Sequence, residues 1–185
     1  MAEYRNRVGG VFALTVFTPI LPGHEAELRA HLEALPVGAE SPLARLDALH
    51  LSRIQVIGEL VDQGPPHRRE TLKRAHLLFT STVDGDLDPY LDAICARIGA
   101  EADGWWGHCD GYPGTADRGA FRRYIRAHKV DTSLLAVANP GATVRDVRES
   151  LALRERVVDF AAEVQGLDAA ALRERFLAAF ADVRR

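Results

Sequence analysis

The ten residues from Trp105 to Gly114, Trp-Trp-Gly-His-Cys-Asp-Gly-Tyr-Pro-Gly, hold both tryptophans of the chain, one of its two cysteines and one of its seven histidines. Glycine and proline at this density make a tightly turning loop, and such loops let a rigid scaffold present side chains to a ligand. His108 offers there a neutral imidazole that can ligate a metal or a haem iron, or move protons near neutral pH. Trp105, Trp106 and Tyr112 flank it with flat aromatic surface. No second histidine stands three or four residues from His108, so spacing along the chain signals no preformed non-haem metal site.

Two other segments carry chemistry. In a strand over 50–57, Leu51, Arg53, Gln55 and Ile57 share one face and His50, Ser52, Ile54 and Val56 the other. A guanidinium beside an amide within an apolar-bounded strand is costly if dry and unpaired, so that face borders either a ligand-filled cavity or open solvent. His50 starts this strand. The segment 121–129 places Phe121, Tyr124, Ile125 and His128 on one helical face and Arg122, Arg123, Arg126 and Lys129 elsewhere. Arg122 and Arg126 are either a solvated basic side or a clamp for carboxylates and phosphates, haem propionates among them. Asp84-Gly85 reads as a turn. Nucleotide-binding glycine loops, a His-Glu-x-x-His helix and a Gly-x-Ser-x-Gly elbow are all missing from the sequence.

The elements that must position these groups follow from hydrophobic periodicity. Val11 to Thr18 is a buried strand, and Leu28, Leu32 and Leu35 mark a short amphipathic helix that Pro36 and Gly38 stop. His50 to Leu60 is a second strand, Gly64 to Lys73 an exposed connection and Ala75 to Thr82 a third strand. Asp88 as N-cap and Pro89 at the first helical position open a second helix closed by Gly99. Trp105 to Cys109 is a short fourth strand, which completes the order βαββαβ. Two crossovers sharing one sheet are the ferredoxin-like arrangement, with helices on one face and the other face needing cover. Beyond residue 114 come a helix over 117–128, a fifth strand over 133–138, a long helix opened by Thr143 and a last helix. Val144, Val147, Leu151 and Val158 form one stripe of the long helix and Leu153, Val157, Phe160 and Val164 a second, so a broad face is expected to be buried.

The chain of 185 residues, 47% hydrophobic and 26% charged, has room for one substantial core. The reading is a single domain over 1–185, with a ferredoxin-like core at 8–114 and a mainly helical extension at 115–185. A formal net charge of -3 gives no electrostatic footprint for nucleic acid. The apolar run before Pro19 is too short to span a membrane and lacks the layout of a secretory signal, which points to a cytoplasmic protein. Cys95 and Cys109 stand too far apart for a Cys-x-x-Cys motif and read as reduced thiols.

Leu-His-Leu-Ser-Arg at 49–53, Leu-Leu-Phe-Thr-Ser-Thr-Val-Asp-Gly at 77–85, Tyr90-Leu91 and Gly-Tyr-Pro at 111–113 resemble an uncharacterised group of bacterial ferredoxin-like proteins, some of which accompany haem peroxidase or catalase modules. The core is also similar to the dimeric α+β barrel superfamily, which includes dye-decolorising peroxidases, chlorite dismutases and small monooxygenases. In the Gly-x-x-Asp-Gly motif of dye-decolorising peroxidases the aspartate lies distal to haem; Asp84 and Gly85 match it here, while Ser81 replaces the first glycine. The resemblance implies a small-molecule oxidoreductase with its pocket on the open sheet face, completed by a homodimer or by the C-terminal helices. Haem is the cofactor it implies, with His108 or His50 as axial ligand, Arg53 and Asp84 as distal polar groups, Trp105, Trp106 and Tyr112 against the porphyrin, and Arg122 or Arg126 on the propionates. The competing reading is a non-catalytic binding or accessory protein that works beside a separate redox enzyme.

Overall fold

The computed structural model describes residues 6–67 and 71–183. They fall into two compact units, one ending at Val144 and one starting at Arg145. The division lies well beyond residue 114, because the helix over 117–128 packs into the sheet's own core.

Four strands, β1 (Arg7–Val8), β2 (Val11–Pro19), β3 (Leu49–Ile57) and β4 (His76–Asp84), form one antiparallel sheet in the order β1-β2-β4-β3. Strict alternation gives it two unlike faces. Phe12, Leu14 and Val16 of β2 and Leu77, Phe79 and Val83 of β4 are buried, and Ile54 and Val56 of β3 pack against them. Four helices supply the other half of this core: α1 (Glu25–Glu33) through Leu28, α2 (Leu87–Arg97) through Leu91 and Ile94, α3 (Gly99–Trp106) through Ala102 and both tryptophans, and α4 (Arg118–Ala127) through Phe121 and Ile125. The opposite face bears Thr15, Phe17, Leu51, Arg53, Gln55, Leu78, Thr80 and Thr82 in neighbouring register. Leu51 there is 66% exposed.

β2 and β3 both run antiparallel to β4, so β2, α1 and β3 form a right-spaced crossover with β4 inserted between its strands. The second crossover is not completed by a strand. Trp105 and Trp106 end helix α3, and the chain after it meets the end of β2 only in an isolated bridge of Cys109 to Ile20 and the hydrogen bonds around it. The reason is geometric: both tryptophans are fully buried, and consecutive residues of a strand would point to opposite faces, whereas neighbours at a helix end can both face the core. Nor does Gly99 terminate helical structure, because the chain bends at Ile98 and resumes as α3. The fifth strand over 133–138 is also not formed; pairing with β2 occurs earlier, through the Lys129–Val16 bridge and the Val130 N–H donated to the Thr15 carbonyl at 2.8 Å.

Helix α2 starts two residues before its expected boundary, with Asp86 at the N-cap and Pro89 inside the first turn, where a missing N–H is harmless. Asp88 pairs instead with Arg126 at 2.7 Å. Asp117 does cap α4, accepting from the Ala120 N–H at 2.9 Å.

The second unit continues helix α5 (Val144–Glu163) into α6 (Ala169–Ala179). Phe160 packs edge to face on Phe176 and Phe180, and Arg156 lies 5.5 Å over the Phe180 ring while pairing with Asp182. The broad buried face expected for α5 is not realised: only Val144 is buried, and Val147, Leu151, Val157 and Val158 remain exposed. A hairpin can shield only the stripe that meets its own partner helix. No helix among the described residues is long and apolar enough to cross a membrane.

Candidate functional site

A break in the β3–β4 register at His50 brings two of the expected site residues together. Leu49 pairs with Val83 and Leu51 with Thr82, so His50 is the extra residue of a bulge. Its Nε2 lies 2.7 Å from Asp84 Oδ1. The other carboxylate oxygen of Asp84 accepts the Val144 N–H at 2.7 Å, so the carboxylate is anchored from two sides and orients the imidazole. Both side chains retain about a fifth of their surface, 23% and 21%. Arg53 stands three residues beyond His50 along β3, on the rung Thr15–Thr80–Arg53, exposed and with no hydrogen bond or ion pair among the described residues. Thr82 lies on the next rung, so the open face combines a carboxylate-held imidazole, a free guanidinium and hydroxyls.

The aromatic loop residues have a different place. Trp105 and Trp106 are core residues with no exposed surface, and Trp106 packs on Phe79 and Phe121 at 5.0 and 5.5 Å between ring centroids. Neither offers a face to a planar cofactor. Tyr112 is half-buried against Trp106, and its hydroxyl donates to Asp103 Oδ1 at 2.7 Å. Burial and that carboxylate hold the Tyr112 phenol far above the ordinary tyrosine range. Asp103 also accepts from the Thr115 N–H and hydroxyl at 2.9 and 3.0 Å, which fixes the far end of the loop.

His108 is held at the near end. Leu21 N–H donates to the His108 carbonyl at 2.9 Å, and Asp110 N–H to the Pro19 carbonyl at 2.9 Å, so the residues after α3 dock onto the end of β2. Gly107 permits the exit from α3, since a Cβ there would lie 2.4 Å from the Asp103 carbonyl oxygen. His24, the N-cap of α1, turns its Nδ1 to 3.1 Å from Nδ1 of His108. Glu27, one turn into α1, places Oε2 4.0 Å from the same nitrogen. Sequence reading missed His24 and Glu27 because it counted only spacings local to His108, and the partner comes from 84 residues away. One signal was present: a histidine at an N-cap position, where Ser, Thr, Asp or Asn usually stands, with a carboxylate three residues on.

The arginines expected to clamp an anion are engaged within the fold. Arg122 forms a two-pronged pair with Asp92 of α2, its Nε 2.9 Å from Oδ1, and holds the Asp92 carboxyl below its ordinary range. Arg126 pairs with Asp88 and lines a groove of about 600 Å³ with Arg7, Phe12, Asp86 and Pro89. Arg7 pairs with Asp86 there, so both acids of the groove meet a cation. Cys109 is buried and accepts the Thr18 hydroxyl at 3.3 Å; Cys95 is half-buried, and both are free thiols.

Compared with protein-family models, with curated proteins and with solved structures, the chain matches none of them.

Proposed function

We propose that this protein is a small-molecule enzyme of the oxidoreductase type that works on the open face of its sheet. The observation that carries this reading is the His50–Asp84 pair at 2.7 Å beside the unpaired Arg53. Asp84 takes the Nε2–H of His50 and so leaves Nδ1 as the proton acceptor, which is the arrangement that general-base work requires. Arg53 supplies a fork for a carboxylate or for the oxygen of an enolate or phenolate. Deprotonation of a phenol or an enolisable carbonyl gives an electron-rich anion, the form in which such molecules are most readily oxidised; dioxygen or a redox partner takes the electrons. Thr80 and Thr82 add hydroxyls on the neighbouring positions of β4.

The residues assigned to haem do not fit it. Both tryptophans lie in the core and offer no face to a porphyrin, and Arg122 and Arg126 are bound to Asp92 and Asp88 instead of being open to propionates. The reading therefore uses no step on a haem.

The ferredoxin-like description remains part of this proposal, supported by the β2–α1–β3 crossover around β4. A second copy laid against the same sheet face would enclose the His50–Asp84–Arg53 region.

Titration of the ¹⁵N-labelled protein with 4-hydroxybenzoate, a phenol that also carries a carboxylate, tests the site. Amide shifts are expected at Arg53, Thr80 and Thr82, lost in Arg53→Ala, with oxidation of the probe lost in His50→Ala. Shifts confined to other surfaces, or none at millimolar probe, would remove the open face as the site. Binding without turnover in any redox assay would favour the accessory-protein reading.

A further inference from the structure

Among the described residues, one set of three His, Cys, Asp or Glu side chains brings its ligand atoms within 4.8 Å of one another: His24, Glu27 and His108. We propose that these three side chains bind a single divalent first-row transition-metal ion. The site is separate from the open-face reading. Asp84 pairs with Val11 at the start of β2, whereas His24 and His108 lie beyond Pro19 at its other end, eight residues and roughly 25 Å away along the strand.

Three features of the geometry carry the assignment. First, two imidazole nitrogens bound to one tetrahedral ion stand about 3.3 Å apart, given bonds of roughly 2.0–2.1 Å, and the two Nδ1 atoms here stand 3.1 Å apart. Glu27 Oε2 lies 4.0 Å from His108 Nδ1, and the remaining closure is open to an exposed carboxylate on a flexible stem. Second, backbone hydrogen bonds fix both histidines in place. The His24 N–H donates to the Leu21 carbonyl at 3.1 Å, and the Leu21 N–H donates to the His108 carbonyl at 2.9 Å, so one residue of the chain ties both histidines. Third, His24 occupies the N-cap of α1 without making a side-chain cap bond. Ser, Thr, Asp or Asn in that position would cap the helix; this side chain faces His108 instead.

A hydrogen bond between the two rings accounts for the pair alone. It gives no reason for a carboxylate to converge on the same nitrogen. Two imidazoles and one carboxylate are the donor set preferred by zinc, iron(II) and cobalt(II) over magnesium or calcium. With His108 16% exposed and Glu27 73% exposed, the fourth position faces solvent and takes water or an oxygen-donor ligand.

Untagged protein, dialysed against chelator, is titrated with Zn(II) by calorimetry and with Co(II) by visible absorption. One equivalent is expected to bind, with Co(II) giving the intense d–d bands of a tetrahedral site. His24→Ala and His108→Ala should each weaken Zn(II) by roughly a hundredfold and Glu27→Gln by about tenfold, while His67→Ala, in the exposed connection, leaves the affinity unchanged. Far-UV circular dichroism checks that each variant is folded, and His108→Gln replaces any alanine variant that is not. The proposal is overturned if the wild type shows no saturable one-to-one binding, or if folded His24 and His108 variants bind as the wild type does. Neither result bears on the Arg53 titration, so the two readings fail separately.

Discussion

The Nδ1 atoms of His24 and His108 face each other across 3.1 Å although 84 residues separate them in the chain. What closes that distance is backbone pairing at the end of β2 and the tight approach of α3 to α1. At Gly104 of α3 a Cβ would meet His31 Nε2 of α1 at 2.9 Å, so the His31 ring lies directly against bare α3 backbone.

Gly107→Ala is expected to disturb this end of the molecule specifically. Its new Cβ would overlap the Asp103 carbonyl oxygen, a backbone atom that cannot swing aside, so the exit from α3 must shift and His108 with it. Urea denaturation should show a loss of roughly 1–3 kcal/mol, and the His24 and His108 ring resonances should move while those of His50 stay. Wild-type stability and unchanged His24 and His108 signals would show that the position of His108 does not depend on this glycine.

Burial pushes the Cys109 thiol up to about 11 from its ordinary 9.0, with the Thr18 hydroxyl working weakly in the other direction. The folded protein then keeps a proton that the unfolded chain releases between those values. The resulting stability is complete below about pH 9 and is lost as pH rises towards 11, on the order of 2 kcal/mol across the window. Chemical denaturation at pH 8 and pH 10.5 should show the fall, and Cys109→Ala should reduce it, the remainder coming from Cys95 and from the Tyr90, Tyr112 and Tyr124 phenols, which burial also raises. The native thiol should also resist Ellman's reagent at pH 8. Rapid labelling of folded protein would mean that the site opens easily.

Leu51 is 66% exposed on the open sheet face beside Thr82, so the proposal that a second copy covers this face predicts that Leu51 is buried in the homodimer. Light scattering at micromolar concentration should return twice the chain mass. Leu51→Glu should return the chain mass with unchanged circular dichroism. A monomeric wild type would leave this face to solvent and ligand alone.

Periodicity in the sequence was enough to place β2, β3, β4, α1 and α4, because half-buried strands and helices imprint their spacing locally: Phe12, Leu14 and Val16 alternate, and Phe121, Tyr124 and Ile125 share a helical face. It also marked Arg53, beside Gln55, as costly in an apolar-bounded strand, whereas Asp84 reads from the sequence as part of a turn and His50 as the first residue of a strand. It did not decide that Trp105 and Trp106 end a helix, since an apolar pair between glycines suits a strand equally until the core that receives both rings exists. The pairing of His50 with Asp84 depended on a bulge, a one-residue register shift invisible in either strand alone. The convergence of His24, Glu27 and His108 was likewise decided only by the docking of residues 108–110 on the end of β2. Long-range side-chain geometry is set by packing and register, and neither has a period that a single stretch of sequence can display.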